Sequence, residues 1–215
     1  MVIILFVTNL VHPVSVHQWK CLVKKMHDMK EILLLVLFWA GSISAQNTPQ
    51  DISRSFDRFI KEQDSLRKTH VGKEYPAKFQ FMTLEGDTVN EKMLSGKVTF
   101  FNFWFESCAP CVAEFGALDD LYRKYKDNPD FRFVTFSTDR PEDIKKTLRK
   151  HDLHFPVCHI SRSEVAKMNF NQGFPTNIVI GKDRTVLYLF SGGPIEDDRA
   201  REMVKKIERI ICENL

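Results

Sequence analysis

The sequence predicts an α/β protein in which helices flank a mixed central sheet, preceded by an N-terminal β-hairpin and a helical lead-in. Short apolar runs rich in β-branched and aromatic residues alternate with segments of helical periodicity. The early strands are separated by helices, which favours parallel pairing, whereas a short turn joins the last two, which favours antiparallel pairing. A final amphipathic helix completes the pattern.

Length and composition indicate an ordinary globular protein. The chain has 215 residues, which is enough for one domain with a substantial core. A net charge of +3 without a basic stripe argues against nucleic-acid binding, and 12% aromatic content argues against disorder. Five cysteines are too few for a disulfide-scaffold miniprotein. Only two of them lie close together, so the function is sought in that pair.

The N-terminal region predicts export. Residues 29–45 contain a lysine, an apolar run from Ile32 to Ala40 and a tail of small residues, which is the organisation of a signal peptide. The apolar run is shorter than a membrane span, and no cysteine follows it that could carry a lipid. Residues 1–28 are interpreted as an upstream extension or a misplaced start. The favoured interpretation is that Met26 or Met29 is the true first residue, and the alternative is that the first apolar stretch belongs to an unusual anchor.

Residues 46–74 predict a helical lead-in to the main domain, which is assigned to residues 75–215. Thr48 and Pro49 form a helix start, and apolar residues follow at helical spacing. Phe79 to Val89 then predicts a hairpin that turns at Glu85-Gly86-Asp87.

The remaining elements follow from apolar periodicity and from proline or glycine at their ends. Val98 to Trp104 is a nearly continuous apolar run, as expected of a strand that is buried on both faces. Asn128-Pro129 ends the next helix and Pro141 opens the one after it. The predicted strands are 98–104, 131–136, 155–160, 176–180 and 185–190, and the predicted helical segments are 112–125, 141–150, 163–168 and 195–212.

Cys108-Ala109-Pro110-Cys111 is a C-x-x-C sequence between a buried strand and a helix. Two cysteines at this spacing on the first helical turn can approach disulfide geometry. The helix N-terminus favours a thiolate, so Cys108 is the predicted nucleophile and Cys111 the predicted resolving thiol. Pro110 suits the first turn, where its missing N–H matters little.

Other interpretations of this pair are less favourable. A zinc site would need two more spaced ligands, and Cys158 and His159 are adjacent. Haem attachment needs histidine after the second cysteine, where Val112 stands. A purely structural disulfide would close a very small loop with little entropic benefit. No metal and no cofactor is therefore expected.

The run from Gly96-Lys97-Val98 through Phe103 to Cys111, together with Gly173-Phe174-Pro175-Thr176, resembles the thioredoxin superfamily. The closest likeness is to its exported TlpA/ResA-like thiol-disulfide oxidoreductases. The resemblance implies a thioredoxin-like fold over most of the chain after the lead-in. It also implies that Pro175 is cis and lies beside the two sulfurs, where the preceding backbone can pair with an incoming peptide. Thr176 and Trp104 are expected to support the site.

Glu114 lies three residues after Cys111, on the same helical face. The resemblance implies that an acid here handles protons for the dithiol, and an exposed helix carboxylate is the alternative interpretation. Ser107 departs from the family, which usually has a bulky residue before the first cysteine. The adjacent Glu106 is expected to face solvent.

The leading functional prediction is an exported enzyme that reduces protein disulfides through Cys108 and Cys111. The resemblance implies a membrane-borne dithiol electron donor and a role in cytochrome c maturation or redox homeostasis, and the enzyme is expected to be a monomer. One alternative is a peroxidase on the same scaffold, although Phe105 occupies the position where a peroxidatic cysteine needs a hydroxyl residue. The other alternative is a non-catalytic binding module, which would have no need of the cysteine pair.

Two further pairs of residues receive structural interpretations. Cys158 and Cys212 are interpreted as small buried apolar residues, and a disulfide between them is left open. Asp139 and Arg140 are interpreted as a loop and helix cap.

Overall fold

The computed structural model describes residues 49–76 and 78–215. The segments predicted as an upstream extension, 1–28, and as a signal peptide, 29–45, lie outside the described residues. Within the described part of the chain, no helix combines the length and apolar character needed to cross a membrane.

The first described element is helix α1, Pro49–His70, where the sequence predicts the helical lead-in. Basic residues in its last turn complement the negative end of the helix dipole. The compact unit that contains the cysteine pair runs from Arg58 to Leu215 and includes the C-terminal part of this helix. There Gln63 is buried, and its Oε1 accepts a hydrogen bond of 3.0 Å from the backbone N of Ser191.

A five-stranded mixed sheet forms the centre of this unit. Its strands are β3 (Val98–Trp104), β4 (Phe131–Ser137), β5 (Val157–His159), β6 (Thr176–Ile180) and β7 (Val186–Ser191). Their spatial order is β5-β4-β3-β6-β7. Strands β3, β4 and β5 are parallel, while β6 pairs antiparallel with both β3 and β7. The prediction of a mixed sheet, parallel early and antiparallel late, is confirmed.

The hairpin of β1 (Gln80–Met82) and β2 (Thr88–Asn90) forms a separate two-stranded sheet, and a 3-10 helix (Glu91–Leu94) follows it. The hairpin contacts the main sheet at β5. Thr83 bridges to Cys158, and the backbone N of Leu84 donates to the carbonyl of Val157 at 2.9 Å.

Four helices follow β3 in the chain: α2 (Ala109–Tyr125), α3 (Pro141–Lys150), α4 (Arg162–Met168) and α5 (Asp197–Asn214). The strands of the main sheet and these four helices have the predicted types, and their ends differ from the predicted ranges by three residues or fewer. Helix α2 starts at Ala109 because Cys108 caps it, so the cysteine pair lies at the helix N-terminus, as predicted.

Strand β3 supplies side chains to two cores, because successive residues of a strand point to opposite faces. All seven of its residues are buried. Val98, Phe100 and Trp104 join the cluster that contains residues of α2 and α5. Phe101 and Phe103 join the second cluster, with residues of the hairpin and α4. Alternation along the strand therefore places Asn102 on the face that α2 covers.

A buried acid attaches α2 to the loop before β5. Asp119 is 4% exposed and accepts from Arg123 Nε at 2.7 Å and from the backbone N of His154 at 2.6 Å. His154 Nδ1 lies 3.2 Å from the same carboxylate. These bonds hold the middle of α2 in place, about two helical turns after Cys111.

Candidate active site

The structure brings Cys108 and Cys111 together at the start of α2, immediately after the carboxyl end of β3. A disulfide joins them, with 5.2 Å between their Cα atoms. Cys108 is the N-cap residue of α2, and its Sγ accepts from the backbone N of Cys111 at 3.3 Å. Cys108 is 5% exposed and Cys111 is 1% exposed. The predicted order of accessibility therefore holds, and the first sulfur lies among the unpaired N–H groups of a helix N-terminus.

The loop that precedes Cys108 is held by Asp139. Its Oδ2 accepts from the backbone N of Glu106 at 2.6 Å and from Ser137 Oγ at 3.2 Å. The interpretation of Asp139 and Arg140 as a loop and helix cap is confirmed, because Arg140 is the N-cap residue of α3, although it makes no side-chain capping bond. Asp139, which precedes this cap, also links the segments at the C-terminal ends of β3 and β4. The Glu106 side chain is exposed, as predicted.

The Phe174–Pro175 peptide bond is cis, and β6 begins at the next residue. The ring of Phe174 packs edge-on against Phe105, with 5.1 Å between the ring centroids. This contact places the loop that contains Pro175 beside the segment leading to Cys108. Phe105 occupies the position where a peroxidase would need a hydroxyl residue, and its ring packs in this aromatic pair.

Asn169 and Thr176 hold the loop before Pro175. Asn169 is fully buried, and its Nδ2 donates to the carbonyl of Gln172 at 2.8 Å while its Oδ1 accepts from the backbone N of the same residue. Thr176 Oγ1 donates to the carbonyl of Gly173 at 2.6 Å. Sequence reasoning missed Asn169, whose only signal is its place at the end of α4, near a glycine and a proline.

Trp104 is the last residue of β3, before the cysteine pair, and Pro110 lies between the two cysteines. Trp104 is fully buried; its Nε1 donates to Thr135 Oγ1 at 3.2 Å, and its ring meets Phe115 of α2 edge-on. Pro110 occupies the first turn of α2. Both positions agree with those expected from the sequence.

Glu114 is completely buried, so its interpretation as an exposed helix carboxylate is wrong. Burial raises the pKa of Glu114 from 4.5 to about 8, and a hydrogen bond from Asn177 partly opposes this rise. Asn177 Nδ2 lies 3.0 Å from Oε2 and 3.2 Å from Oε1 of the carboxyl group. Asn102 Nδ2 lies 2.9 Å from Asn177 Oδ1 and 3.4 Å from Glu114 Oε2.

Sequence reasoning missed both asparagines. A signal was present, because each is the only amide side chain within an otherwise buried strand, and a buried polar group needs a partner. What the local pattern lacked was the identity of that partner.

The loop after β7 covers the carboxyl group from the other side. A Cβ atom added at Gly193 would lie 3.0 Å from Glu114 Oε1 and 3.5 Å from Pro175 Cγ. Only a residue without a side chain lets the backbone approach both groups this closely. Tyr188 of β7 is also buried nearby, and burial together with the Glu114 charge raises its pKa to about 12.

The two other described cysteines are free thiols that do not pair with each other. Cys158 is buried, as predicted, and burial raises its pKa to about 12. Cys212 is exposed, so its interpretation as a buried residue is wrong. Across residues 49–76 and 78–215 there is no cluster of three or more His, Cys, Asp or Glu side chains placed to hold a metal ion.

Comparison with known proteins points to one family. The model of the AhpC/TSA family matches residues 71–189. The chain is 32% identical over 150 residues to "Thiol-disulfide oxidoreductase ResA" of Bacillus thuringiensis, a match that covers 69% of this chain and 83% of the relative.

Solved structures of thioredoxin-like proteins show the same fold. A putative thioredoxin from Neisseria meningitidis is 29% identical with a TM-score of 0.52, over 64% of this chain and 89% of that one. A putative thiol:disulfide interchange protein DsbE from Chlorobium tepidum has a TM-score of 0.54 at 24% identity, over 64% of this chain and 96% of that one. The second likeness concerns the fold alone.

Proposed function

The chain belongs to the AhpC/TSA family and is a thiol-disulfide oxidoreductase with a thioredoxin-like fold, and we propose that Cys108 and Cys111 are its redox-active pair. We further propose that the enzyme reduces protein disulfides outside the cytoplasm. The observation that carries the first proposal is the position of Cys108 as N-cap of α2, bonded to Cys111 within a single helical turn. Protein disulfides are the substrate class that this chemistry implies.

The reaction begins from the reduced pair. The Cys108 thiolate attacks one sulfur of a substrate disulfide, so that a mixed disulfide forms and the other substrate sulfur leaves as a thiolate, which takes a proton. The Cys111 thiol then loses its proton and attacks Cys108 Sγ, which releases the second substrate sulfur. The substrate gains two electrons and two protons, and the Cys108–Cys111 disulfide remains. A dithiol donor must then return two electrons to this disulfide.

We propose that Glu114 moves the proton of the resolving thiol. A carboxyl group that titrates near neutral pH can both accept a proton and return it, whereas one with an ordinary pKa would remain ionised. Glu114 lies one helical turn after Cys111, on the same face of α2. In this proposal Pro175, Thr176, Trp104 and Pro110 shape the site and take no part in proton or electron transfer.

A trapping experiment tests the assignment of the two cysteines. In a Cys111→Ser variant, the mixed disulfide between Cys108 and a substrate peptide should accumulate, because no second thiol resolves it. Mass spectrometry of the Cys108 peptide reads out the adduct, and a Cys108→Ser variant is the matched control that should form none there. Failure of Cys111→Ser to form an adduct with a disulfide-containing peptide would contradict the proposed order of attack.

The proposal of export rests on residues 29–45, and the proposal of a membrane-borne dithiol donor rests on the family resemblance. A role in cytochrome c maturation and a monomeric state are proposed on the same basis. Cell fractionation tests export, and recovery of the chain in the cytoplasmic fraction would refute it. N-terminal sequencing tests the start of the chain, and a precursor that contains residues 1–28 would refute the misplaced start. Haem staining of c-type cytochromes in a Cys108→Ser strain tests the maturation role.

A further inference from the structure

We propose that Asn177, oriented by Asn102, is a positioning residue that holds the Glu114 carboxyl group beside the dithiol in both of its protonation states. The inference rests on the proton-transfer role proposed for Glu114. It assigns roles to two buried amides that the cysteine chemistry leaves unexplained.

Sheet register brings the two amides together. Asn102 of β3 and Asn177 of β6 are directly opposed residues of an antiparallel pair. Side chains of such a pair lie on the same face of the sheet, about 5 Å apart at Cβ. Asn102 lies on the face covered by α2, so Asn177 does too. Both residues are buried, at 1% and 0% exposure, directly beneath a helix whose inward carboxyl group is Glu114.

The hydrogen bonds from Asn102 to Asn177 and from Asn177 to Glu114 run in the same donor-to-acceptor direction. Asn102 Nδ2 donates to Asn177 Oδ1 at 2.9 Å, which turns Asn177 Nδ2 toward Glu114 at 3.0 and 3.2 Å. This polarity suits an ionised carboxylate, which only accepts hydrogen bonds. Among the described residues no ion pair includes Glu114, so the amide donors of Asn177 and Asn102 are the groups that stabilise its charge. A buried carboxylate without them would bear the full cost of desolvation.

One oxygen atom in this chain of hydrogen-bonded side chains has no hydrogen-bond partner. Asn102 Oδ1 is buried and accepts no hydrogen bond in the arrangement described above. If both amides rotate by half a turn, Asn177 Oδ1 can accept from a protonated Glu114 and Asn177 Nδ2 can donate to Asn102 Oδ1. The unpaired oxygen is thus the acceptor that the protonated state requires. The pair of amides can serve either state of the carboxyl group by rotation of its side chains alone.

The other titratable groups around the carboxyl are few. Cys108 and Cys111 precede it on α2, and Tyr188 lies on β7. The pKa of Tyr188 is raised to about 12, so it stays neutral near physiological pH. The Cys108–Cys111 disulfide does not titrate, so in the oxidised protein the amide chain is the main polar influence that opposes burial at Glu114.

The test measures the Glu114 titration directly in the oxidised full-length protein, by NMR of glutamate labelled with ¹³C at the side-chain carboxyl. Asn177→Leu removes the Asn177 amide donor and keeps the branching of the side chain at Cγ. Loss of a hydrogen bond to a charged group should raise the Glu114 midpoint by about one pH unit or more. Asn177→Ser, which keeps one hydroxyl donor, should give a smaller rise and remains informative if the leucine variant does not fold.

Thr99→Val is the matched control. Thr99 is also buried in β3 and its hydroxyl also lacks a partner, but alternation places it on the opposite face of the sheet from Asn102. This control should leave the Glu114 midpoint unchanged. A folded Asn177→Leu or Asn177→Ser protein whose Glu114 midpoint equals that of the unmodified protein would overturn the inference.

A second measurement separates this inference from the proposed role of Glu114. It records the pH profile of Cys108 alkylation in the reduced proteins, with the peptide containing exposed Cys212 as internal reference. If Asn177 acts through Glu114 on the dithiol, the profile should shift together with the carboxyl midpoint. A shifted midpoint with an unchanged alkylation profile would support the positioning of Glu114 by Asn177 and refute the action of Glu114 on the dithiol.

Discussion

Replacing Glu114 by glutamine should change how stability depends on pH. In the folded protein burial raises the pKa of Glu114 from 4.5 to about 8, so the folded chain keeps a proton that the unfolded chain has lost. The contribution of Glu114 to the free energy of unfolding is therefore largest below about pH 4.5. It falls as the pH rises toward 8 and falls no further above that pH. The Glu114→Gln variant carries no titrating proton at this position and should lack this loss.

The size of the effect follows from the two pKa values. One additional proton held by the folded state changes the free energy of unfolding by about 1.4 kcal/mol per pH unit. Between about pH 5 and pH 7.5, the unmodified protein should lose about 3 kcal/mol more than the glutamine variant. Histidines and other groups titrate equally in both proteins, so the difference between the two pH dependences isolates Glu114.

Urea unfolding of the oxidised proteins at the two pH values, followed by circular dichroism, measures this difference. Glu213→Gln is a suitable control, because Glu213 is exposed on α5 and its replacement should leave the pH dependence unchanged. If Glu114→Gln and the unmodified protein lost stability in parallel, to within about 1 kcal/mol, the conclusion that Glu114 is held protonated by burial would be wrong.

Three further results are expected. Gly193→Ala should slow disulfide reduction by about tenfold, because the added Cβ would displace the Glu114 carboxyl group. An insulin-reduction assay measures this rate, and an unchanged rate would contradict the prediction. Asp119→Asn should lower the free energy of unfolding by about 2 kcal/mol through the loss of charged hydrogen bonds to a buried carboxylate, as measured by urea unfolding. In the native oxidised protein, iodoacetamide at mildly alkaline pH should label Cys212 and spare Cys158, because the Cys158 thiol is buried and its pKa is raised. Peptide mass spectrometry reads out the labelling, and labelling of both cysteines would refute the prediction.

Local sequence patterns predicted the elements well, because hydrophobic periodicity reports directly which face of each element is buried. The apolar run of β3 predicted burial on both faces, and every residue of that strand is buried. Cys212 shows where such reasoning fails. It follows Ile211, which is buried on α5, and one residue along a helix turns the side chain by about 100°. The apolar character of cysteine suggested burial, whereas its helical position exposes it.

The roles of Asp139 and Glu114 depended on partners distant in the chain. Asp139 was predicted only as part of a loop and helix cap with Arg140, yet it also bonds to Glu106, which lies 33 residues earlier, because parallel β3 and β4 end side by side. Glu114 could be placed on the same helical face as Cys111 from spacing alone. Its complete burial could not, because burial depends on what the sheet and the Gly193 loop place over that face.

The sequence by itself determined the α/β class, the cysteine pair at the start of a helix, and the proline that precedes β6, because each depends on residues within one element or one turn. Only the tertiary structure decided that Asn102 and Asn177 face each other and that together they meet Glu114. That arrangement requires the register between β3 and β6, and it joins residues 75 positions apart. The cysteines could therefore be identified from their spacing, whereas the environment that raises the pKa of Glu114 arises only when two strands and a helix pack together.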